Sequence, residues 1–441
     1  MKINNIYIKS YKGLEEVEIK LIEPPLNYFR KLKMTIVVGE NGTGKTSILK
    51  FLTEVFCPIQ TKRNLESEEY NVSEFEVKLN MDGEKIEYSH NKNPSLFPNK
   101  VIVSSFSAFD PYTLIPRREK LEEEINEAEY VYAGPIDYHT PTFNLVLNLI
   151  TEILYSKELE EDKFYTFLGL LNNIGYDYPS FVLVDRSRLS ARSEIKKVDS
   201  NYDLMVETLE DYRNDLRELF TKKISKTLKK NKRYYCIPLE EYKILYNKYS
   251  NILDYNLLKI KDFIFVKGGN EVQLSEMSSG EITMLYRFLP LIIEIEDNSI
   301  LLIDEPETHL HPTWCQQYVH YLVSLLGGYK AHIIIASHSP MIASEVPLEC
   351  IVGLQQKDNR ITQYFAKDRT FGSSPDTILR DVFNLESLNG VFYKRILENL
   401  HSYLKSNDAK NINLAREIYK SLSTSPEKYR IYEKYKDILE D

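Results

Sequence analysis

Residues 39–46 read Gly-Glu-Asn-Gly-Thr-Gly-Lys-Thr, a full match to the spacing G-x-x-x-x-G-K-[ST]. Met34 to Val38, just before it, is a continuous apolar run with the length of a buried strand. Ser47 to Phe56, just after it, carries helical periodicity. A strand that turns through glycines into a helix is a device for holding phosphate. The glycines let backbone N–H groups point inward as anion donors. The start of the helix adds the favourable end of its dipole. Gly39, Asn41, Gly42, Thr43, Gly44 and Ser47 are therefore expected to cradle the phosphates of ATP. Lys45 would neutralise the β- and γ-phosphates, and Thr46 would ligate Mg²⁺.

A second apolar run, Ile300 to Ile303, ends in Asp304-Glu305-Pro306. Alone, such a pair of carboxylates is as well explained by a solvated turn after a core strand. With the phosphate loop upstream, it reads as chemistry at the carboxyl end of a strand. Asp304 would hold Mg²⁺ opposite Thr46, and Glu305 would polarise the attacking water as general base.

Leu274 to Glu281 reads LSEMSSGE, and Ala336 to Pro340 reads ASHSP. In their order along the chain, these strings resemble the signature motif and the switch histidine of ATP-binding-cassette ATPases. The resemblance implies that Ser278, Ser279, Gly280 and Glu281 reach the γ-phosphate of ATP held by a second subunit. It implies that His338 senses that phosphate, joining Glu305 and Lys45 as catalytic residues. It also implies head-to-tail dimers or higher homo-oligomers. Asp304 to Pro312, DEPETHLHP, and the opening IKSYKGLEEVEI resemble the SMC, RecF and OLD branch rather than transporter cassettes. His309 and His311 in that stretch read as shaping the loop after Glu305, not as metal ligands.

The expected fold is α/β: a parallel sheet carrying the phosphate loop, an N-terminal antiparallel β subdomain, and a helical insertion. Alternation at Ile3–Ile8 and Val17–Leu21 around Lys12-Gly13 gives one hairpin, and Glu74–Glu87 another. Val101–Ser105 and His332–Ala336 add buried strands, and Thr142–Leu171 and Asp203–Leu228 are helical in pattern. The expected divisions are an N-terminal ATPase lobe at 1–115, a mostly helical insertion at 116–262, a C-terminal ATPase lobe at 263–370 and a helical tail at 371–441. No heptads run through the insertion, so no long coiled-coil arm is expected. No acidic cluster of the kind a Toprim nuclease needs follows His338.

Hydrophobic residues make up 43% of the chain, and no apolar run is long enough to span a bilayer. The first residues do not read as a secretory signal. The four cysteines, Cys57, Cys236, Cys315 and Cys350, form no CxxC pair. A reduced, cytoplasmic protein is expected. The net charge of −9 gives no general attraction for nucleic acid. Two local patches leave that contact open: Lys222, Lys223, Lys226, Lys229, Lys230, Lys232 and Arg233, and a smaller one of Arg186, Arg188 and Arg192. A solvated helix face is the favoured reading of each, with nucleic-acid contact the alternative.

The glutamine that cassette ATPases carry after the strand at Val101–Ser105 is missing. Phe106-Ser107-Ala108-Phe109-Asp110 stands there instead. Ser105–Tyr112 and Phe371–Phe383 resemble stand-alone ATPases of Septu and retron anti-phage systems. That implies a regulatory ATPase paired with a separate nuclease or toxin. The alternative is a DNA-repair ATPase that clamps DNA directly, and the motor of a transporter is the weakest reading.

Overall fold

The computed structural model describes residues 1–61, 74–89, 96–107, 110–112, 127–134, 142–156, 159–185, 234–249, 260–358, 360–366, 369–385, 389–406 and 408–440, with isolated helical positions between 208 and 218. The two basic patches, at 186–192 and 222–233, lie outside the described residues. The chain divides into two compact units, Met1–Pro375 and Asp376–Asp441.

The first unit is built on three sheets. Strands β1 (Lys2–Tyr11), β2 (Leu14–Lys20), β4 (Phe75–Met81) and β5 (Glu84–Ser89) form an antiparallel sheet in the order β2-β1-β4-β5. Both hairpins expected from alternation are present, with Tyr11 opposite Leu14 and Met81 opposite Glu84 at the turns. The inward positions of β1, Ile3, Ile6 and Ile8, are almost fully buried.

The central sheet holds β3 (Lys33–Gly39), β6 (Lys100–Ser105), β7 (Glu129–Tyr132), β12 (Ile300–Asp304), β13 (His332–Ala336), β14 (Ile351–Lys357) and β15 (Arg360–Tyr364). Its order is β15-β14-β3-β13-β12-β6-β7, and only the β14–β15 pair is antiparallel. Interior strands of a parallel sheet are covered on both faces, which is why Ile300–Ile303 and Ile333–Ile335 read as unbroken apolar runs. Helix α1 (Lys45–Phe56) shares one core with the first and central sheets: Ile48, Leu49, Phe51, Leu52 and Phe56 meet Ile6, Val17, Leu302 and Ile334 there.

The fold is α/β with an N-terminal antiparallel subdomain, as the sequence leads one to expect. Segment 116–262 proves less purely helical than its pattern. It carries α2 (Thr142–Tyr155), α3 (Glu161–Asn173) and α4 (Leu239–Lys248), but also β7, β8 (Phe181–Asp185) and β9 (Tyr234–Pro238). β8 and β9 join β10 (Ile260–Lys267) and β11 (Asn270–Gln273) in a third sheet of order β11-β10-β8-β9. The division drawn at 262/263 thus falls inside β10. These strands are short and lack clean alternation, so periodicity does not show them. Only fragments of Asp203–Leu228 fall within the described residues.

Helix α5 (Ser279–Glu294) packs against α2 and α3, and α3 packs against α6 (Pro312–Leu326). Helix α7 (Pro340–Ala343) follows β13. Helix α8 (Pro375–Asp381) begins at the unit boundary. The second unit continues with α9 (Val391–Leu404), α10 (Ala409–Ser421) and α11 (Pro426–Glu440), packed around Leu400, Leu404, Ala415, Leu422 and Ile431. Among the described residues no helix is long and apolar enough to cross a membrane.

Candidate nucleotide site

Three neighbouring parallel strands, β3, β13 and β12, end side by side. Ala336 pairs with Val37 on one side and Asp304 on the other. The residues that follow these strands are therefore delivered to one place: the loop 39–46, His338, and Glu305.

The loop is tight enough to require its glycines. A Cβ at Gly39 would lie 2.5 Å from the Leu354 carbonyl oxygen and 2.7 Å from Thr43 Oγ1. Gly44 has φ +81°, and a Cβ there would lie 2.5 Å from Leu14 Cδ2. Thr43 Oγ1 donates to the Glu40 carbonyl at 2.8 Å, closing the loop from inside. Lys45 folds back over it and donates to the carbonyls of Gly39 and Glu40, each at 3.0 Å. Burial pulls the Lys45 ammonium down to about 8, against the opposing pull of Glu305, Asp304 and Glu307.

Thr46 Oγ1 donates to Asp304 Oδ1 at 3.1 Å. Asp304 is fully buried, and burial lifts its carboxyl from the ordinary 3.8 to about 7. Its second oxygen, Oδ2, is buried with no hydrogen-bond partner among the described residues. A buried carboxylate oxygen without a donor, beside a threonine hydroxyl, fits a hard cation with oxygen ligands. Thr46 and Asp304 would hold Mg²⁺ there, and the ion would supply charge neutralisation for both Asp304 and the phosphates.

Glu305 sits at φ +49°, a left-handed conformation that a non-glycine residue adopts at a cost. Its N–H donates to Ala336 O at 2.9 Å, and Thr308 Oγ1 donates to its Oε2 at 3.4 Å. His309 is also left-handed, at φ +61°. His338 is partly buried, and burial followed by the nearby Lys45 lowers its pKa, so the imidazole is neutral at pH 7.

A cavity of about 290 Å³ opens over the loop. Asn41, Gly42, Gly44, Lys45, Thr46, Ser47, Glu305 and His338 line it, together with Lys12, Gly13, Leu14 and Ile361. The last four had no site role in the sequence reading. Lys12–Leu14 are the turn of the first hairpin, and Ile361 is on the edge strand β15, so only the fold brings them in. Gly39 and Thr43 lie behind the lining.

Ser278, Ser279, Gly280 and Glu281 are not among the residues that line this cavity. They form the start of α5. Ser278 caps it, accepting from Glu281 N. Glu281 was expected to contact ATP, but its carboxylate is already engaged within the chain. It accepts from Ser278 N and Oγ at 2.8 Å each and from Tyr176 OH at 3.1 Å, and it pairs with Lys267. That is a capping box, in which the acid satisfies the helix start. Ser278 and Ser279 are exposed.

Two charged groups that the sequence reading passed over, the partly buried Glu307 and the buried Arg287, hold the loop after β12. Glu307 accepts from Ser337 Oγ at 2.9 Å and from the N–H of His338, and burial raises its pKa. Arg287, on α5 and 2% exposed, donates to the carbonyls of Pro306, at 2.6 Å, and Thr308. Its guanidinium lies 3.6 Å over the Phe106 ring. After β6, Tyr112 is fully buried and its OH donates to Thr46 O at 3.4 Å. His311 caps α6, accepting from Thr313 N. Among the described residues no group of three or more His, Cys, Asp or Glu forms a metal cluster.

The family described as "AAA ATPase domain" matches residues 1–343, a span that contains the loop, the acidic strand end and His338. The chain belongs to this family. It is 26% identical over 397 residues to "Protein ea59" of Escherichia phage lambda, covering 90% of this chain and 62% of that protein's length. It is 22% identical to "Retron Vc95 probable ATPase" of Vibrio cholerae serotype O1 biovar El Tor, covering 88% of this chain and 80% of that one. Over 36% of this chain and 44% of the relative it is 28% identical to "Septu protein PtuA" of Bacillus thuringiensis. The resemblance to Septu and retron ATPases drawn from short strings thus has counterparts among its relatives. Among solved structures, the SMC head domain from Thermotoga maritima aligns over 83% of this AAA ATPase and 100% of its own length, at 13% identity and a TM-score of 0.34.

Proposed function

We propose that this AAA-family chain binds Mg·ATP in the cavity over residues 39–46 and hydrolyses it at a site completed by a second copy. The observation that carries the reading is the division of the expected machinery. Lys45, Thr46, Asp304, Glu305 and His338 converge on one cavity, while Ser278–Gly280 open α5 outside its lining, with both serines exposed. A helix start with free N–H donors suits an anion, and the anion it serves would be the γ-phosphate of the other copy. Lys45 and the loop bind the phosphates, Thr46 and Asp304 hold the ion, Glu305 orients and deprotonates the attacking water, and neutral His338 monitors the terminal phosphate.

Relatives named as a retron ATPase and a Septu protein support a regulatory subunit that controls a separate nuclease or toxin in prokaryotic anti-phage defence. Glu305→Gln keeps the hydrogen-bonding shape but removes the base, which lowers hydrolysis by about 10²–10⁴. The ATP-bound dimer should then accumulate, and the effector should be locked in one state. Gel filtration with and without ATP, on wild type and variant purified with the neighbouring gene product, tests both. Absence of ATP-dependent assembly in the variant sinks the shared site. DNA cleavage by the complex that ignores nucleotide sinks the regulator and leaves direct DNA clamping ahead.

A further inference from the structure

Part of the cavity wall lies where two sheets meet edge to edge. β2 is an edge strand of the first sheet and β15 of the central sheet, and no main-chain ladder joins them among the described residues. One side chain bridges the gap. The Gln363 amide accepts from Lys20 N at 2.8 Å and donates to Lys20 O at 3.0 Å. A carboxamide carries both a donor and an acceptor, so here it stands in for the peptide group of a neighbouring strand. Arg360 and Glu16 add an ion pair across the same joint at 3.1 Å, exposed and therefore weak. Alternation along β15 puts Ile361 on the face that carries Gln363. The joint brings Ile361 over the phosphate loop next to Leu14: a Cβ on Gly44 would lie 2.5 Å from Leu14 Cδ2 and 3.6 Å from Ile361 Cδ1. Both side chains line the cavity. Leu14 follows a rigid turn, since Lys12 and Gly13 have φ +45° and +83°, the left-handed pair of a primed hairpin. Ile361 has no such support. Its strand pairs with β14 alone in the sheet, so Gln363 sets how it meets Leu14.

We infer that Gln363 is a positioning residue for nucleotide: by docking β15 on β2 it closes Leu14 and Ile361 into an apolar seat for the base. The inference rests on the reading that ATP occupies this cavity, and it says what the cavity offers beyond the phosphates. In that reading the loop up to Ser47, Glu305 and His338 are taken up by phosphate and water. Of the remaining lining, Gly13, Leu14 and Ile361 bring apolar side chains or none. The Lys12 ammonium is turned to Glu54 Oε1, 3.4 Å away, and to the Tyr11 ring, 4.8 Å from its centroid. An aromatic base can lay a face on such a wall and gains by the area it removes from water. The seat takes one side chain from each sheet, so its width follows the joint. Loss of the amide frees β15 and widens the seat, while the phosphate loop, tied down by Thr43 and Lys45, keeps its shape.

The experiment compares two ligands of the full chain by calorimetry with Mg²⁺: ATP, and inorganic tripolyphosphate, which has the phosphates and no base. Gln363→Leu nearly keeps the side chain's size and removes both hydrogen bonds. Its Kd for ATP should rise about tenfold, the loss expected when the base gives up roughly 55 Å² of apolar contact. Its Kd for tripolyphosphate should stay at the wild-type value, which a general weakening of the fold would not allow. Ile361→Ala should show the same split. Because Gln363 acts through Ile361, the double variant should bind ATP about as Ile361→Ala does, whereas independent effects would multiply to about a hundredfold. Wild-type ATP affinity in Gln363→Leu, equal losses for the two ligands, or multiplied losses in the double variant each overturn the inference while leaving the placement of the nucleotide standing. Lys45→Ala separates the two levels: if it binds ATP as wild type does, the placement falls and the inference falls with it.

Discussion

The buried carboxyl of Asp304 predicts a protein that is more stable without its own metal ligand. With no cation present, the fully buried side chain holds its proton up to about pH 7, whereas in the unfolded chain the proton leaves near 3.8. Between these values the folded state binds more protons than the unfolded state, so stability falls as pH rises. The loss is about 1.4 kcal/mol per pH unit, and over the whole window it reaches about 4 kcal/mol. Above pH 7 both states are ionised and the penalty is constant. Asp304→Asn removes the charge yet keeps an oxygen to accept from Thr46 Oγ1. In metal-free, nucleotide-free buffer at pH 8 the variant should be the more stable protein by up to about 4 kcal/mol. Spread over the unit Met1–Pro375, with an unfolding entropy of about 2.1 cal/mol/K per residue, that is a rise of roughly 5 °C in Tm. The gap should shrink steadily from pH 7 towards pH 4. It should also close when Mg·ATP is given to the wild type, because the cation would take over the neutralisation. Thermal unfolding of both proteins at pH 5, 6, 7 and 8, with and without Mg·ATP, measures all of this. A variant no more stable at pH 8, or a gap of the same size at pH 5 and pH 8, refutes the reasoning. The same variant should lose Mg²⁺-dependent hydrolysis.

Lys45→Ala should abolish ATP binding, and wild-type affinity should weaken up to about tenfold per pH unit above pH 8, because Lys45, at about 8 when empty, must then take up a proton. Calorimetry in buffers of different ionisation enthalpy reads that uptake directly. Arg287→Met leaves the carbonyls of Pro306 and Thr308 without donors, at about 1–3 kcal/mol, and should lower kcat with little change in the intrinsic ATP affinity of a single site. Equal losses in both would show that Arg287 acts only through general stability. His332 is buried and its pKa falls to about 3; its Nδ1 accepts from Ile3 N at 3.0 Å, and its Nε2 lies 3.0 Å from Thr35 Oγ1. Between pH 6.5 and 3 only the unfolded state binds that proton, so stability falls as pH falls. His332→Phe should be less stable than wild type at pH 7, with the gap narrowing by about 2 kcal/mol at pH 5.

The site was legible in the sequence wherever a side chain acts close to its own strand end. Lys45, Thr46, Asp304, Glu305 and His338 each follow an apolar run, and a parallel sheet brings such ends together. Residues that act across the fold were not legible. Glu307 stands in the same string as Asp304 and Glu305, yet nothing local says that it will reach Ser337 and His338, thirty residues away. Arg287 reads as one polar residue in an apolar helix, and only its burial against the loop at 306–308 gives it a task. A third carboxylate in DEPE and a lone arginine within MLYRFLPLII were the available signals. Lys12, Leu14 and Ile361 lie at a hairpin turn and on an edge strand, positions that periodicity treats as generic. The strands β7, β8 and β9 were hidden because each is four or five residues long and is held by partners distant in the chain.

Glu307 and Arg287 together decide how the cavity and the exposed helix start can influence one another. The loop from Glu305 to His309 has left-handed residues at both ends, so it has few alternative shapes. On one side Glu307 fastens it to the loop of His338; on the other Arg287 fastens it to α5, which begins with Ser279. The Arg287 fastening is buried at Pro306 and the Glu307 fastening partly so, and each would leave a poorly satisfied polar group if broken. A phosphate that displaces Glu305 or His338 must therefore either break one of these bonds or carry α5 with it. Carrying the helix is the lower-energy response, since its packing can shift as a body whereas a buried arginine left without its carbonyls cannot be resolvated. In a dimer whose sites are shared, that movement would reach the other copy's nucleotide. By linkage, binding at one site would then alter affinity at the other by the same factor in both directions. Cooperative ATP binding that is abolished by Arg287→Met, with each single site still intact, is the signature that distinguishes this coupling from two independent cavities.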